Sequence, residues 1–461
     1  MIESIYPRLP VFLQNLACTI YGIKEKRSRF NQDFYRYLEL YQNSQHLNAN
    51  DIKFDVEQDL RNTLMYCRDN VNYYQNLFAQ IGLNPDAEDI FSELGKLPVM
   101  RKETLRLHTP HLVSNALSEK DRLEFHTSGT TGKALTLFKD KASIAKQWAI
   151  WFRHRKRFEV DFGDLHVNFT GKLVVPATQK LPPFWRFNRA FNQYLINMQH
   201  VNDENIKDIV GFLNSISPKF YSGYPSIIAE VARLAIQYKL PLHSHARPAV
   251  IFTGAENTLD YQKAAIEEWT GAIVTDQYGL TEGNCNLSRC ELGHYHVDHE
   301  FGFVECIDPE PLSDGRKRGR LIGTSFTNFA MPMLRYDTGD VAIWKADDFK
   351  CPCGRHTDVI ESIEGRIDDF VQLNDGRRIM RFDYLFKGTD SIKEAQICQY
   401  KLGEIVIKLV SRIGPNEDIE NELKAQFVKW ITDDMDVKFE YLEQIPKSNT
   451  GKFKAVQSFL K

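Results

Sequence analysis

The feature that most constrains this chain of 461 residues is an alternation of short apolar runs and amphipathic segments in its middle. The runs KFYSGY, AVIFTG and AIVTDQYG predict strands, and PSIIAEVARLAI and LDYQKAAIEEW between them predict helices. Strands joined by helices at short loop lengths make right-handed crossovers in a parallel sheet. Ligands of such sheets bind beyond the carboxyl ends of the strands, so the turns SGYP, GAEN and YGLTEGN are expected to line one crevice.

A change in the order of elements marks a second, smaller domain. The chain up to about residue 100 is predicted to be mostly helical. After the charged linker ESIEGRIDDF, the segments EAQICQY and EIVIKLV predict two strands, NEDIENELKAQFVKWI a helix and VKFEYLEQI a third strand. We therefore predict an α/β protein with a large N-terminal domain, residues 1–366, of parallel and mixed sheets with helices. A small α+β C-terminal domain would occupy residues 367–461.

Composition excludes several classes of protein. The 58 basic and 61 acidic residues leave a net charge of −3, which argues against a general nucleic-acid binder. No apolar run approaches the roughly 18 residues that a membrane span needs. The start, MIESIYPRLPVF, lacks the basic and apolar regions of a secretory signal, and the eight cysteines form no disulfide-scaffold pattern. A cytoplasmic location is expected.

The N-terminal segment PRLPVFLQNLACTIYGIKEKRSRF admits two interpretations. An apolar stretch precedes the basic residues Lys24, Lys26, Arg27 and Arg29, and an interfacial membrane helix has this appearance. A helix packed on the protein's own core and followed by a solvated basic turn has it too, and we favour that interpretation because cytosolic helices are ordinarily amphipathic. Peripheral membrane contact stays open as the second interpretation.

The sharpest local signal is HTSGTTGKALTLFKD, residues 126–140. Small hydroxyl residues and two glycines let backbone N–H groups approach a ligand, and Lys133 adds positive charge, a combination that suits a polyphosphate. The segment is not a Walker A loop, because Thr127 stands in place of its first glycine and Ala134 follows the lysine. A kinase or motor-type NTPase is therefore disfavoured. A glycine-rich hairpin between two strands is the structural alternative.

Four other segments carry polar side chains that suit a nucleotide. In DQYGLTEGN, Tyr278 offers a flat face for a purine, Thr281 a hydroxyl for a phosphate oxygen and Glu282 a carboxylate for Mg²⁺. In RYDTGD, Asp340 can accept both ribose hydroxyls. The remaining two are EGRIDDF at the domain boundary and IPKSNTGKFKAV, a loop that presents Lys452 near the C-terminus. Singly, each of these segments is equally an ordinary turn or a solvated loop.

Together, the five segments resemble the signature motifs of adenylate-forming enzymes, which include acyl-CoA synthetases, adenylation domains and luciferases. The matching pieces are TSGTTGK, YGLTEG, RYDTGD, EGRIDD and PKSNTGK, and they stand in the family's order and spacing. The N-terminal region LPVFLQNLACTIYG and the paired cysteines before Gly-Arg look closest to the phenylacetate–CoA ligase-like branch, which includes capsular polysaccharide biosynthesis proteins. The resemblance covers nearly the whole chain and is specific for the superfamily rather than for a substrate.

The resemblance implies a nucleotide-binding role for each motif. Gly254, Ala255 and Glu256 would approach the adenine, and Tyr278 would stack against it. The residues that would cradle the β- and γ-phosphates of ATP are Thr127, Ser128, Gly129, Thr130, Gly132 and Lys133.

The remaining motif residues are implied to serve the reacting groups and the ribose. Thr281 would touch the α-phosphate and Glu282 would hold Mg²⁺. Asp340 and Arg366 would bind the ribose. Lys452 would be the catalytic lysine of adenylation.

The implied reaction is the ATP-dependent activation of a small-molecule carboxylic acid to an acyl-adenylate, with release of pyrophosphate and transfer of the acyl group to CoA. Asp368 would be the hinge about which the small domain rotates, so that Lys452 enters for adenylation and withdraws for transfer. Two alternatives stay open. The acceptor can be an amine, such as an amino sugar in a surface-polysaccharide precursor, or the chain can be a non-catalytic, zinc-stabilised binding protein.

A metal site is predicted from cysteines and histidines. Cys290 is followed by His294 and His296 and, much later, by Cys351 and Cys353 in CPCG. Three thiolates and one imidazole form a closed tetrahedral set typical of structural Zn²⁺. Members of the resembled branch carry a similar cluster here. We prefer His296 as the fourth ligand, although two histidines two residues apart in a strand point to the same face and their spacing does not choose between them.

Overall fold

The computed structural model describes residues 5–126, 135–255, 258, 260–364, 371–376, 378–379, 382–386, 391–411, 413–443, 445 and 456–460. Within these ranges the α-helices are α1 (Val11–Arg29), α2 (Gln32–Ser44), α3 (Ala49–Asn70), α4 (Asn72–Ile81), α5 (Ile90–Gly95), α6 (Lys102–Leu112), α7 (Lys141–Lys156), α8 (Ile206–Leu213), α9 (Pro225–Gln237), α10 (Asp260–Thr270) and α11 (Glu417–Trp430). The strands of the N-terminal part are β1 (Leu123–His126), β2 (Thr136–Lys139), β3 (His166–Thr170), β4 (Trp185–Asn188), β5 (Gln193–Asn197), β6 (Phe220–Gly223), β7 (Val250–Thr253), β8 (Ile273–Gly279), β9 (Asn286–Arg289), β10 (Tyr295–Val297), β11 (Gly302–Pro311), β12 (Lys317–Ser325), β13 (Tyr336–Trp344) and β14 (Val359–Glu364). Those that follow are β15 (Val371–Gln372), β16 (Arg378–Ile379), β17 (Ile392–Lys401), β18 (Glu404–Ser411), β19 (Asp436–Tyr441) and β20 (Val456–Ser458).

A mixed sheet of twelve strands organises the described part of the chain, in the order β11-β12-β13-β14-β10-β9-β8-β7-β6-β3-β5-β4. Strands β6, β7 and β8 are parallel neighbours, with α9 and α10 as their crossovers. The predicted parallel strands and the helices between them are therefore confirmed. Gly223 pairs with Thr253 and Thr253 pairs with Asp276, so the carboxyl ends of β6 and β7 lie side by side.

Strand β8 joins the parallel half of the sheet to the antiparallel half. Its first residues pair with β7, and its last three, 277–279, pair antiparallel with β9. The seven residues of β8 thus belong to both halves. Tyr278 lies at this junction, where it pairs with Leu287 of β9.

The N-terminal hundred residues are helical, as predicted, and hold a core of their own. Residues recur on one face of α3 at helical spacing and are fully or almost fully buried: Val56, Leu60, Leu64 and Cys67. They belong to a cluster that also includes residues of β2, among them Leu137, and residues just before β13, such as Leu334. This core therefore fixes the β1–β2 hairpin and the start of β13 to the same body.

The C-terminal part has the predicted α+β composition. Strands β17 and β18 are antiparallel, β19 is parallel to β18, and α11 buries Leu423 and Phe427. The prediction of two strands, a helix and a third strand is confirmed. The short strand β20, which pairs parallel to β17, was not predicted, because its three residues are too few for a periodic signal.

Helix α1 packs against the body of the protein, as in the interpretation that we favoured, but not through its largest apolar residues. Its buried residues are Gln14 and Gly22, whereas Phe12, Leu16 and Ile20 are exposed. Among the described residues, no helix has both the length and the apolar character that crossing a membrane requires.

Candidate functional site

A hydrogen bond joins two of the predicted nucleotide motifs. The Tyr278 hydroxyl on β8 donates to Oδ2 of Asp340 on β13 at 2.7 Å. Burial raises the pKa of Tyr278 well above its usual value, so the hydroxyl keeps its proton and remains a donor. Three strands separate β8 from β13 in the sheet, so this part of the sheet curves back on itself to bring the two side chains together.

The RYDTGD turn holds Asp340 by its own backbone. Gly339 has φ +78°, a left-handed conformation that favours glycine. The Asp337 side chain accepts a hydrogen bond from the Gly339 N–H at 3.0 Å, and the Thr338 hydroxyl accepts one from the Asp340 N–H at 3.1 Å. These local bonds fix the direction in which the Asp340 carboxylate leaves the strand.

Glu282 lies in the turn that follows β8 and is 8% exposed. Its Oε1 accepts a hydrogen bond from the Tyr336 hydroxyl at 3.2 Å, so β13 also reaches this part of the site. Gly283, next to it, has φ +70°, and a Cβ there would lie 3.5 Å from the Lys139 Nζ. A buried carboxylate of this kind is an oxygen ligand that suits Mg²⁺.

Lys139 is a buried cation close to the Glu282 turn. Burial lowers the pKa of Lys139 to about 8, and the negative charge of Glu282 opposes that fall. Its Nζ donates to Oε1 of Gln147 at 3.2 Å. Lys139 ends β2, the strand that follows residues 127–134 in the sequence, and it brings a cation close to the Glu282 turn.

The loop after β7 lies at the same edge of the sheet. The Gly254 N–H donates to the Gly223 carbonyl at 3.2 Å across the carboxyl ends of β7 and β6. Ala255 is exposed and has φ +67°, which for a residue with a Cβ costs about 1–2 kcal/mol. Thr281 is exposed as well. Backbone and hydroxyl groups are therefore open to a ligand beyond the strand ends. We call Gly254, Ala255, Tyr278, Thr281, Glu282 and Asp340 the strand-end site.

The structure describes all six residues of the strand-end site. Ten other predicted site residues lie outside the described residues. Those ten are Thr127, Ser128, Gly129, Thr130, Gly132, Lys133, Glu256, Arg366, Asp368 and Lys452. Strands β1 and β2, which flank residues 127–134, form an antiparallel pair with His126 opposite Thr136. Flanking strands paired in this way are compatible with both interpretations of residues 127–134, the phosphate loop and the glycine-rich hairpin.

Two residues of the site were missed by sequence reasoning. Lys139 occupies a buried position in the alternating pattern of β2, where a lysine is unusual, and this was the available signal. Tyr336 stands beside Asp337 in the same motif as Asp340, but nothing in the sequence indicates that its hydroxyl reaches Glu282.

The four predicted metal ligands converge in a second site, the cysteine–histidine cluster of Cys290, His296, Cys351 and Cys353. Their ligand atoms all lie within 4.8 Å of one another. The Sγ atoms of Cys290 and Cys351 are 3.9 Å apart, and the Cys353 Sγ is 3.3 Å from the His296 Nε2. Tetrahedral Zn²⁺ with Zn–S of about 2.3 Å and Zn–N of about 2.0–2.1 Å requires separations of about 3.8 Å and about 3.5 Å. The donor set and these two separations fit that ion.

The surroundings of His296 suit a neutral ligand. The Thr357 hydroxyl lies 3.3 Å from the His296 Nδ1, which leaves the Nε2 facing the cysteines. Burial lowers the pKa of His296 to about 3, and the nearby Arg355 and Arg157 add to the fall. His294 also reaches the cluster, since its Nδ1 is 3.3 Å from the Cys351 Sγ. Both histidines therefore face the cysteines, as their spacing predicted, and His296 is the more buried of the two.

Known proteins resemble the chain along its length. Residues 372–458 match a family model described as the CapK C-terminal domain. The chain is 24% identical to Protein CapK of Staphylococcus aureus over 98% of both chains. It is 24% identical to phenylacetate-coenzyme A ligase of Thermus thermophilus over 68% of this chain and 70% of that relative. The phenylacetate-coenzyme A ligase of Pseudomonas putida is 29% identical over 61% of this chain and 64% of its own length.

Solved structures decide the fold. A crystal structure of 2-hydroxyisobutyryl-CoA ligase in complex with 2-HIB-AMP and CoA matches with a TM-score of 0.59 at 18% identity, over 90% of this chain and 91% of the ligase. The chain has the fold of the adenylate-forming CoA ligases. A second structure of that ligase, in the postadenylation state with R3-HIB-AMP, gives a TM-score of 0.55 over the same fractions. The predicted fold class is confirmed, as is the resemblance to the phenylacetate–CoA ligase-like branch.

Proposed function

We propose that this chain uses ATP to activate a carboxylic acid as an acyl-adenylate and then transfers the acyl group to CoA. The observation that carries the proposal is the hydrogen bond between Tyr278 and Asp340, which unites two predicted nucleotide motifs across three intervening strands. The fold adds support, because its solved examples include a ligase in complex with 2-HIB-AMP and CoA.

In the first step, a carboxylate oxygen of the substrate attacks the α-phosphorus of ATP, and the bond to the pyrophosphate leaving group breaks. The Tyr278 ring would stack on the adenine, and Asp340 would accept the ribose hydroxyls. A carboxylate has about four lone-pair sites, so Asp340 can hold the ribose while it accepts the Tyr278 hydroxyl. Thr281, exposed beyond β8, would hold the α-phosphate in line with the attacking oxygen.

Glu282 would hold Mg²⁺, with Tyr336 fixing one of its oxygens. When bound, the ion would neutralise charge on the ATP phosphates. Glu282 orients its carboxylate through the Tyr336 hydroxyl, and Lys139 adds positive charge on the same side of the turn. The loop 127–133 would supply backbone N–H groups and Lys133 to the β- and γ-phosphates.

The small domain would deliver the decisive cation. Lys452 would bridge the carboxylate and the α-phosphate, and Arg366 would bind the ribose from the domain boundary. Rotation about Asp368 would then withdraw Lys452 and admit the thiol of CoA. An Asp368→Pro variant should release pyrophosphate at nearly the wild-type rate but transfer the acyl group much more slowly. Equal loss in both half-reactions would contradict the hinge assignment.

The cysteine–histidine cluster would hold a structural Zn²⁺. Cys290, His296, Cys351 and Cys353 would fill all four positions of a tetrahedral ion, which leaves none for a substrate. Its ligands come from the segments around β9, β10 and the loop before β14, so the ion would tie those segments together without taking part in the reaction.

The test of the proposed function is a panel of carboxylic acids assayed for ATP-dependent release of pyrophosphate, with and without CoA. We expect one class of acids to give AMP and pyrophosphate, and CoA to accelerate the release of AMP. Turnover that ignores CoA but responds to an amino sugar would favour the amine acceptor. Nucleotide binding without any acid-dependent turnover would favour the non-catalytic alternative, and ADP as the product would contradict a ligase of this type.

A further inference from the structure

Helix α1 turns its large apolar residues to the outside. Phe12, Leu16, Ile20 and Ile23 are between 41% and 67% exposed. At 3.6 residues per turn these four side chains fall within an arc of about 80° and extend for about 17 Å along the helix. They form one continuous apolar stripe, which we call the outer face of α1.

The opposite side of α1 is fixed to the protein by polar and small residues. Oε1 of Gln14 accepts a hydrogen bond at 2.6 Å from the Nε of Arg186, a side chain that is fully buried. Gly22 lies so close to Asn188 that a Cβ would stand 2.3 Å from its Oδ1. These contacts set the rotation of α1 about its axis. Turning the outer face inward would break the buried hydrogen bond between Gln14 and Arg186.

The charge beside the outer face is positive. Lys24 and Arg27 are exposed in the last turns of α1, and Arg8 is exposed just before the helix. The one acidic residue of α1 is Glu25, which is half-buried and ion-paired with Arg29. A chain of net charge −3 thus carries a local cationic border around an apolar stripe.

A loop near α1 also carries an exposed apolar residue and a cation. Leu181 is 75% exposed and follows the exposed Lys180. The Gln179 side chain connects the loop to α1, since its Nε2 donates to the Leu181 carbonyl at 2.7 Å and its Oε1 accepts from the same Arg186 that binds Gln14. The loop is therefore held next to α1 through the buried side of the helix.

We propose that the outer face of α1 docks this chain on an anionic membrane surface. The apolar stripe enters the boundary between headgroups and acyl chains, and Arg8, Lys24 and Arg27 bind headgroup phosphates. A helix with apolar residues on one side and cations beside them lies in the plane of such an interface. Each basic residue close to an anionic leaflet adds about 1 kcal/mol of attraction.

Charge favours a membrane over a second copy of the chain as the occupant. In a two-fold dimer the same patch meets itself, so the cations beside one outer face would approach those of the other. Within the described part of α1, the carboxylate of Glu25 is already paired with Arg29 and does not relieve that repulsion. An anionic lipid surface supplies the opposite charge over the whole area.

The experiment is co-sedimentation of the full chain with vesicles of phosphatidylcholine containing about 30% phosphatidylglycerol, beside pure phosphatidylcholine vesicles. We expect binding to the anionic vesicles, which weakens at about 0.5 M salt. Phe12→Gln with Ile20→Gln should weaken binding at least tenfold, because two apolar side chains no longer insert. Lys24→Gln with Arg27→Gln should weaken it about tenfold.

The matched control is Phe54→Gln with Leu107→Gln, two apolar residues that are 61% and 74% exposed on α3 and α6. It should bind vesicles like the wild type, and all three double variants should keep the wild-type thermal midpoint because the substituted side chains are exposed. The proposal is overturned if the wild type does not bind anionic vesicles, if it binds pure phosphatidylcholine equally well, or if the control variant loses as much binding. It is overturned in favour of a second copy if light scattering shows a dimer that Phe12→Gln with Ile20→Gln dissociates.

Discussion

The strand-end site and the cysteine–histidine cluster are built on the same sheet but differ in how complete and how closed they are. The cluster brings four ligand atoms within 4.8 Å of one another, and three of its four residues are buried. The strand-end site leaves Ala255 and Thr281 exposed, and its polar groups are held by hydrogen bonds from neighbouring motifs.

The roles that we propose for the two sites account for this difference. A structural ion needs all its ligands at once, and burial protects the thiolates from solvent. A site for phosphoryl chemistry must admit substrate, so its backbone and hydroxyl groups have to remain open until a second domain closes. On this view, changes in the strand-end site should alter the reaction rate and leave stability intact, whereas changes in the cluster should do the reverse.

The largest effect is expected from Lys452→Ala. Removing the cation that would stabilise the charge developing at the α-phosphate should slow adenylation by about 10²–10³, by analogy with the loss of a transition-state donor. ATP binding and the thermal midpoint should hardly change. Acid-dependent pyrophosphate release measures the rate, and Lys401→Ala, at a side chain that is 67% exposed in the same domain, is the control. A Lys452→Ala variant with wild-type adenylation, or without ATP binding, would refute the assigned role.

The second effect concerns the cluster alone. Cys351→Ser should reduce bound zinc from about one ion per chain to a small fraction, since loss of a ligand costs at least the 10–100-fold in affinity that supporting residues cost. The thermal midpoint should fall with it, because binding to the folded state is the source of the stabilisation. Elemental analysis measures the metal, and Cys306→Ser, which is half-buried outside the cluster, is the control. A wild-type protein without zinc would end the assignment.

A third, smaller effect is expected from Asp340→Asn. An amide accepts a ribose hydroxyl less well than a carboxylate does, and a hydrogen bond to a charged group contributes about 1.5–3 kcal/mol. The KM for ATP should therefore rise about tenfold, with little change in kcat or in zinc content. Asp347→Asn, at a side chain that is 87% exposed, is the matched control. If KM stayed constant while stability fell, Asp340 would be a structural residue only.

The smallest effect is expected from Tyr278→Phe. The ring would remain for stacking, and Asp340 would keep its bonds to the ribose, so only part of the about 1.5–3 kcal/mol of a hydrogen bond to a charged group would be lost from nucleotide binding. A rise of about threefold in the KM for ATP is the expected result. Tyr238→Phe removes a similar bond, from a tyrosine hydroxyl to Asp203 at 2.8 Å on the surface, and should leave the KM unchanged. A larger loss for Tyr238→Phe would show that the measured change has nothing to do with the nucleotide.

Periodicity was enough to predict the parallel strands and the crossover helices, because Pro225 starts α9 and the apolar runs of β6, β7 and β8 end at turn residues. The four residues of the cysteine–histidine cluster could be predicted as well, since cysteine and histidine chemistry is visible without coordinates. Sequence could not predict the bond between Tyr278 and Asp340, because it depends on how far the sheet curves between β8 and β13.

The sequence pattern also could not predict how α1 is rotated about its own axis. The apolar residues of α1 and those of α2 are similarly spaced. Helix α2 buries Phe34, Leu38 and Tyr41, whereas α1 exposes Phe12, Leu16 and Ile20. The reason lies in residues distant in sequence: Arg186 donates a hydrogen bond to Gln14, and Asn188 packs closely against Gly22. An amphipathic pattern predicts that a helix has an apolar face, but it does not predict whether that face packs on the protein or is exposed.

The central claim is that a nucleotide binds across the strand ends where β8 and β13 meet. A crystal structure of the protein with ATP and Mg²⁺ tests it most directly. We predict electron density for the adenine against the Tyr278 ring, with the ribose hydroxyls on Asp340 and the metal ion on Glu282. ATP bound elsewhere, with the Tyr278–Asp340 region free of density, would contradict the account.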